Sequence, residues 1–204
     1  FKVVYRRYTN FALEAIEQTF QGTPDFGRKV TCTVSRNGDL INHVYLQFTL
    51  PALSLGSVFT DAQIAALPVG VTVAWTNAVG HALIKEVSLE IGGQKIDKHY
   101  GLWLEIWDEL TQVAEKQNGY NHMVGKYETD FALIGNAVNS RTYYVPLMFW
   151  FCRNPGLSLP LIALQYHEVK IILDFRPANE LIVGLTSSGD RDFAANTTTI
   201  RDLS

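Results

Sequence analysis

The stretch VTCTVSRNGDLINHVYLQFTL, residues 30–50, restricts what this chain can fold into more than any other feature. Two alternating runs flank Asn37-Gly38, a pair that tolerates positive φ and marks turns between apolar segments. The first run sets Val30, Cys32 and Val34 on one face, with Lys29, Thr31, Thr33 and Ser35 on the other. The second gathers Val44, Leu46, Phe48 and Leu50 opposite Tyr45, Gln47 and Thr49. Each strand therefore has a single core-facing side, as in the wall of a sandwich or barrel.

A two-residue hairpin at Asn37-Gly38 would set Val34 against Ile41, Cys32 against His43 and Val30 against Tyr45. Val44, Leu46 and Phe48 would then point to the wrong side, because a one-residue slip flips every side chain. Two solutions remain. Either the loop holds three residues with Gly38 in a bulge, or the second run crosses to the opposite sheet.

The 204 residues suffice for one domain with a sizeable core. Charged residues make up 18%, below the roughly 25% usual for soluble domains, which suggests surface covered by neighbours. A net charge of −3 argues against a general nucleic-acid binder, and Lys2, Arg6 and Arg7 read as a short solvated or interfacial arm. Cys32 and Cys152 sit in apolar runs and read as small buried thiols rather than a disulfide framework, which fits a reducing compartment. There is no signal peptide and no apolar run near the ~18 residues a membrane helix needs. The chain begins at Phe1 without Met, so a segment or processed portion of something longer is expected.

Strand signals dominate. Strands are expected over residues 11–20, 71–76, 82–91 and 168–175, and proline closes the 44–50 strand at Pro51. Gly92-Gly93 makes a two-residue hairpin with Leu89 facing Ile96 and Glu90 facing Lys95. Residues 143–151, YYVPLMFWF, read as a strand apolar on both faces, edge-placed or bulged at Pro146 and needing a cover on its second side. One short amphipathic helix is expected over residues 101–111. Leu102, Ile106 and Leu110 recur there at helical spacing beside Trp103 and Trp107, as a packing face. Residues 54–69 read as a loop with a helical turn near 61–67. Residues 112–139 and 179–204 read as long polar excursions, too long for routine connections.

No catalytic, cofactor-binding or metal-ligating set emerges. His43, His81, His99, His122 and His167 are scattered without H-x-H or H-E-x-x-H spacing. Asp97 with His99 reads as a surface turn, and His167-Glu168 lacks a partner at ligand spacing. There is no G-x-S-x-G or P-loop, and Gly92-Gly93 is not followed by a phosphate-cradling helix. Asn196-Thr197-Thr198 is a formal glycosylation sequon, expected to be unused by the secretory route.

Four blocks in order carry a resemblance: FKVVYRRYTNFALEAIEQTF, GRKVTCTVSRNGDLI, LEIGGQKIDKHYGLWLEIWDELT and YVPLMFWFCRNPGLSLPLIALQYHEVKI. Together they resemble the major capsid proteins of nucleocytoplasmic large DNA viruses, above all those infecting algae and protists. The resemblance implies an all-β fold, a viral jelly-roll sandwich of two packed antiparallel sheets. It also implies that the segments around Asn37-Gly38 cross between sheets. The whole chain, residues 1–204, would be the first of two tandem jelly rolls, incomplete at its C-terminal end, with the second outside the sequence. Three copies would form a pseudo-hexagonal capsomer of the outer icosahedral shell, assembled in the host cytoplasm. Neighbouring capsomers, with minor capsid and penton proteins, would be its partners, with no direct nucleic acid and no membrane span.

On this reading the chain is not an enzyme, needs no cofactor and works by burying complementary surface, with the three long loops as the main contact candidates. The alternative from another class is a carbohydrate-binding, lectin-like jelly roll that stacks sugars on Trp75 or Trp103. A metal-dependent sandwich enzyme using His167 and Glu168 is a distant third.

Overall fold

A computed structural model describes residues 3–5, 8, 10–67, 70–185 and 191–192. Lys2, Arg6, Arg7 and the Asn196 sequon lie outside the described residues. The largest sheet has four antiparallel strands: β1 (Lys29–Thr33), β9 (Val169–Phe175), β5 (Ile84–Ile91) and β6 (Gln94–His99), in that order. A second sheet joins β4 (Thr72–Trp75), β10 (Ile182–Leu185) and β11 (Arg191–Asp192). Two further pairs are β3 (Tyr45–Leu50) with β7 (Arg141–Pro146), and β2 (Leu40–Ile41) with β8 (Leu159–Pro160).

The register conflict at Asn37-Gly38 is resolved by crossing. β1 pairs with β9 while β3 pairs with β7, so the two runs belong to different sheets. Their faces follow the alternation: Val30, Cys32, Leu46 and Leu50 are buried, and Tyr45, Gln47 and Thr49 are exposed. β9 buries Val169, Ile171, Leu173 and Phe175 in the same way. All the larger sheets feed one core, which packs Val30, Leu46, Val73, Leu89, Val145, Leu173 and Ile182 together. Burial of such side chains contributes about 1.5–3 kcal/mol each and is the main stabilising term.

At Gly92-Gly93 both φ angles are positive, +59° and +81°, as a type I′ turn requires. Glu90 faces Lys95 as expected, but a bulge between Leu89 and Glu90 sets Leu89 opposite Asp97 instead of Ile96.

Several expectations are corrected. Residues 11–20 form no strand; 11–17 run as an exposed arm, joined to the body where Ser35 donates to Gln18, Phe20 packs on Phe175 and Gln21 bridges Thr31. The 82–91 strand begins only at Ile84, because Val79–Leu83 is a short helix, α3. The 143–151 strand ends at Pro146, and Trp150–Arg153 turns into a helix, α7. Proline cannot donate to the ladder; Tyr143 and Val145 before it and Leu147, Phe149 and Phe151 beyond it all reach the core.

The expectation of a single helix also fails. The 54–69 segment holds α1 (Leu55–Val58), capped by Ser54, and α2 (Asp61–Ala66). After α4 (Gly101–Thr111), the 112–139 excursion folds as α5 (Ala114–Val124) and α6 (Asp130–Ala137). Gly125, with φ +77°, ends α5, and the Thr129 side chain caps α6. These helices show weak amphipathic periodicity because tertiary contacts, not a broad apolar stripe, hold them. Beyond Pro177, Leu181, Ile182 and Leu185 are buried, so this part of the 179–204 segment is wall rather than exposed loop.

Candidate functional site

A cluster of charged side chains and an exposed apolar ridge meet on α4. Gly101 begins the helix against the α3–β5 corner, where an added Cβ would lie 2.0 Å from the His81 carbonyl oxygen and 2.3 Å from that of Ile84. Only a residue without a side chain lets α4 start so close to that backbone.

On the inner side of α4, Leu104 and Asp108 are buried. His81 of α3, itself buried, lies with Nδ1 2.6 Å from Glu105 Oε2 and Nε2 2.9 Å from the Tyr120 hydroxyl. A carboxylate can only accept, so Nδ1 donates to Glu105; in the neutral imidazole Nε2 then accepts from the Tyr120 hydroxyl. The hydrogen bond from His81, with help from Lys126, outweighs burial and holds the Glu105 carboxyl down to about 2. Burial pushes the Tyr120 phenol up.

Glu105, Asp108 and Glu109 stand at i, i+3 and i+4 on α4 and bring their oxygens within 4.8 Å of one another. Lys126 occupies the centre of this cluster. Its Nζ is 2.7 Å from Glu105 and 3.5 Å from Asp108, and it also hydrogen-bonds Glu109. Burial pulls the ammonium down, but the bonds from Glu105 and Glu109 win and raise it. The lysine's own charge fills the place a cation would take, so the cluster ties α4 to the end of α5. Sequence reasoning missed this group. The carboxylate spacing was visible, but the lysine follows a helix that polar periodicity concealed.

The outer side of α4 overturns its expected role. Leu102, Ile106 and Leu110 do not pack on the core: Leu102 is 68% and Leu110 75% exposed. Trp103 and Trp107 are half-buried along one flank, and the Arg153 guanidinium lies 4.4 Å over the Trp107 ring. Near them a cavity of about 320 Å³ opens between His99, Trp103 and Arg153.

The remaining histidines are separate. His99 belongs to a strand, not to a surface turn with Asp97. It is buried edge-on against Phe149 at 4.7 Å, and burial lowers it to about 4. Among the described residues its Nε2 has no hydrogen-bond partner. His167 fills the space above Gly92, while Glu168 pairs with Lys170 at 2.8 Å, so the two do not converge on a common point. His122 lies 3.4 Å from Arg141, and His43 rests against Tyr45. Trp75, offered for sugar stacking, is buried; its indole donates to the Pro51 carbonyl and its ring stacks on Phe26. Among the described residues no helix is long and apolar enough to cross a membrane.

Comparison with known proteins gives the same answer from sequence and from shape. The family described as major capsid protein N-terminus matches residues 1–201. A major capsid protein of Pyramimonas orientalis virus is 57% identical over 86% of this chain and 40% of its own length. That of Chrysochromulina ericina virus is 47% identical over 91% of this chain and 38% of its length. The quasi-atomic model of the PBCV-1 virus capsid superposes with a TM-score of 0.67 at 40% identity, covering 86% of this chain and 37% of that one. The chain thus spans about two fifths of the length of these relatives. With antiparallel walls joined by a crossing at Asn37-Gly38, the fold is the jelly-roll sandwich of such capsids, and the chain belongs to the major capsid protein family.

Proposed function

We propose that this chain is the first of two tandem jelly rolls in a shell-forming subunit, three copies of which make a pseudo-hexagonal capsomer. The observation that carries the reading is kinship with capsid proteins in both sequence and fold over most of the chain. Its action is burial of complementary surface, repeated by symmetry, with no bond made or broken. Neighbouring capsomers, together with minor capsid and penton proteins, are its partners. The outer capsid of the virion is its place, and the host cytoplasm the site of assembly.

Two features support an assembling role. α4 exposes an apolar ridge, and the N-terminal arm exposes Phe11 and Leu13. Large contiguous exposed apolar surface marks an interaction site rather than a finished exterior. The contacts offered by this part of the subunit fall on α4 and the arm. Electron microscopy of the natural-length polypeptide tests the reading. Threefold, roughly hexagonal particles are expected, and asymmetric single globules would overturn it.

A further inference from the structure

His99 ends β6, and the chain turns into α4 two residues later. The residue is 6% exposed, and separate elements meet on it. On the ladder it stands opposite Val87 of β5. Its ring lies 4.7 Å from that of Phe149, which immediately precedes α7 and stacks on Phe151. The ring thus clips the start of α4 to the start of α7. Its Nε2 is closed off from solvent and has no hydrogen-bond partner among the described residues. A buried polar atom without a partner costs stability and calls for a reason.

A neutral imidazole tolerates this place, because one of its nitrogens carries no hydrogen. An imidazolium does not: both nitrogens are then donors, and Nε2 would hold its hydrogen against apolar side chains. An acceptor from the rest of a longer polypeptide, or from another copy, cannot reach an atom already enclosed. Burial, ahead of any charge, holds the ring down to about 4, against an ordinary 6.5. Asp97 on the same strand favours the proton, and Arg153 of α7 opposes it. Cys152, next to Arg153, stays uncharged, its thiol pushed up to about 11 by burial. On β5, Glu86 is engaged by Lys95 and Lys98, and on α4 Lys126 engages Glu105, Asp108 and Glu109. The neutral ring's contribution is therefore fully present above about pH 6.5 and is lost as pH falls through about 4, because an opened corner takes up the proton first.

We propose that His99 is an acid-sensitive clip: taking up a proton drives its ring away from Phe149 and lets the starts of α4 and α7 part. The cavity of about 320 Å³ beside the ring, lined by Asp97, Trp103 and Arg153, gives the charged ring a short way out to water. The device stands on the geometry of this corner and goes beyond the capsomer reading. Mild acid loosens one corner of the subunit while the strands around it hold.

The test uses the natural-length polypeptide and two kinds of hydrogen exchange, both read by mass spectrometry. Exchange at histidine Cε1 across a pH series gives the midpoint of His99 directly. A midpoint clearly below 6.5 is expected, and one at or above 6.5 overturns the proposal. Backbone amide exchange, corrected for its intrinsic dependence on pH, locates the opening. Peptides covering residues 95–107 and 147–153 should lose protection by up to about tenfold per unit between pH 6 and pH 4.5, as one-proton linkage sets. Peptides of β9 should keep theirs. Loss spread evenly over the strands, or no loss, overturns the clip. His99→Leu and His99→Gln remove the titrating ring and should flatten the loss in the two corner peptides. Undiminished loss in either folded variant also overturns it. If neither variant folds, the midpoint and the amide map of the parent decide.

Discussion

Glu105 receives the Nδ1 hydrogen of His81 across 2.6 Å, and this contact helps fasten α4 to α3 at the corner of the larger sheet. The bond is part of a chain that runs from Tyr120 through His81 and Glu105 to Lys126.

Glu105→Gln tests that fastening. The folded-state carboxyl is held at about 2, below its ordinary 4.5. Its contribution is therefore fully present above about pH 4.5 and is lost as pH falls through about 2. With partial solvent screening, the substitution should cost about 1–2 kcal/mol near neutrality. Denaturant titrations at pH 7 and pH 2 check it, with the difference between variant and parent shrinking in acid.

Lys126→Ala leaves Glu105, Asp108 and Glu109 facing one another, Asp108 with a fully buried side chain. Removing one partner from a buried ionic group costs about 3–5 kcal/mol. The loss should shrink below about pH 4.5 and fade as pH falls through about 2, where Glu105 takes up its proton, and melting curves across that range measure it.

Two glycines make a matched pair of predictions. Gly101→Ala drives a Cβ into two backbone carbonyls that cannot move aside, so destabilisation of about 3 kcal/mol is expected. Gly119 lies inside α5 with open space around it, so Gly119→Ala should stabilise by about 0.5–1 kcal/mol. Thermal unfolding of both variants side by side separates steric clash from helix propensity.

Cys32 and Cys152 are buried, and burial pushes the Cys152 thiol up to about 11. Both should react with a thiol reagent at pH 8 only as fast as the domain opens, and at once in denaturant. Rapid labelling of the native protein would contradict the burial described.

Much of the fold was legible because strand burial writes itself as period-two alternation. Residues 30–34, 45–50 and 169–175 are cases where every inward side chain could be assigned in advance. The 112–139 helices were not legible: α5 is mostly polar with weak periodicity, and it is held by Tyr120, Val124 and the following Lys126 meeting other elements. α4 was recognised as a helix but turned the wrong way, because periodicity reveals that a stripe exists and not what covers it. The carboxylates around Lys126 were hidden for a related reason. Their spacing on one helix is common on solvated surfaces, and the deciding ammonium comes from another element.

The pairing of Val30 with Leu173, and of Leu46 with Val145, has a consequence for how the tile is made. Neither wall can be completed by neighbours in the chain, since β1 waits for β9 and β3 for β7. During synthesis the early strands must leave the ribosome long before their mates exist, while the β5–β6 hairpin can close at once. Nascent subunits should thus pass through a slow, sticky stage until the later strands arrive.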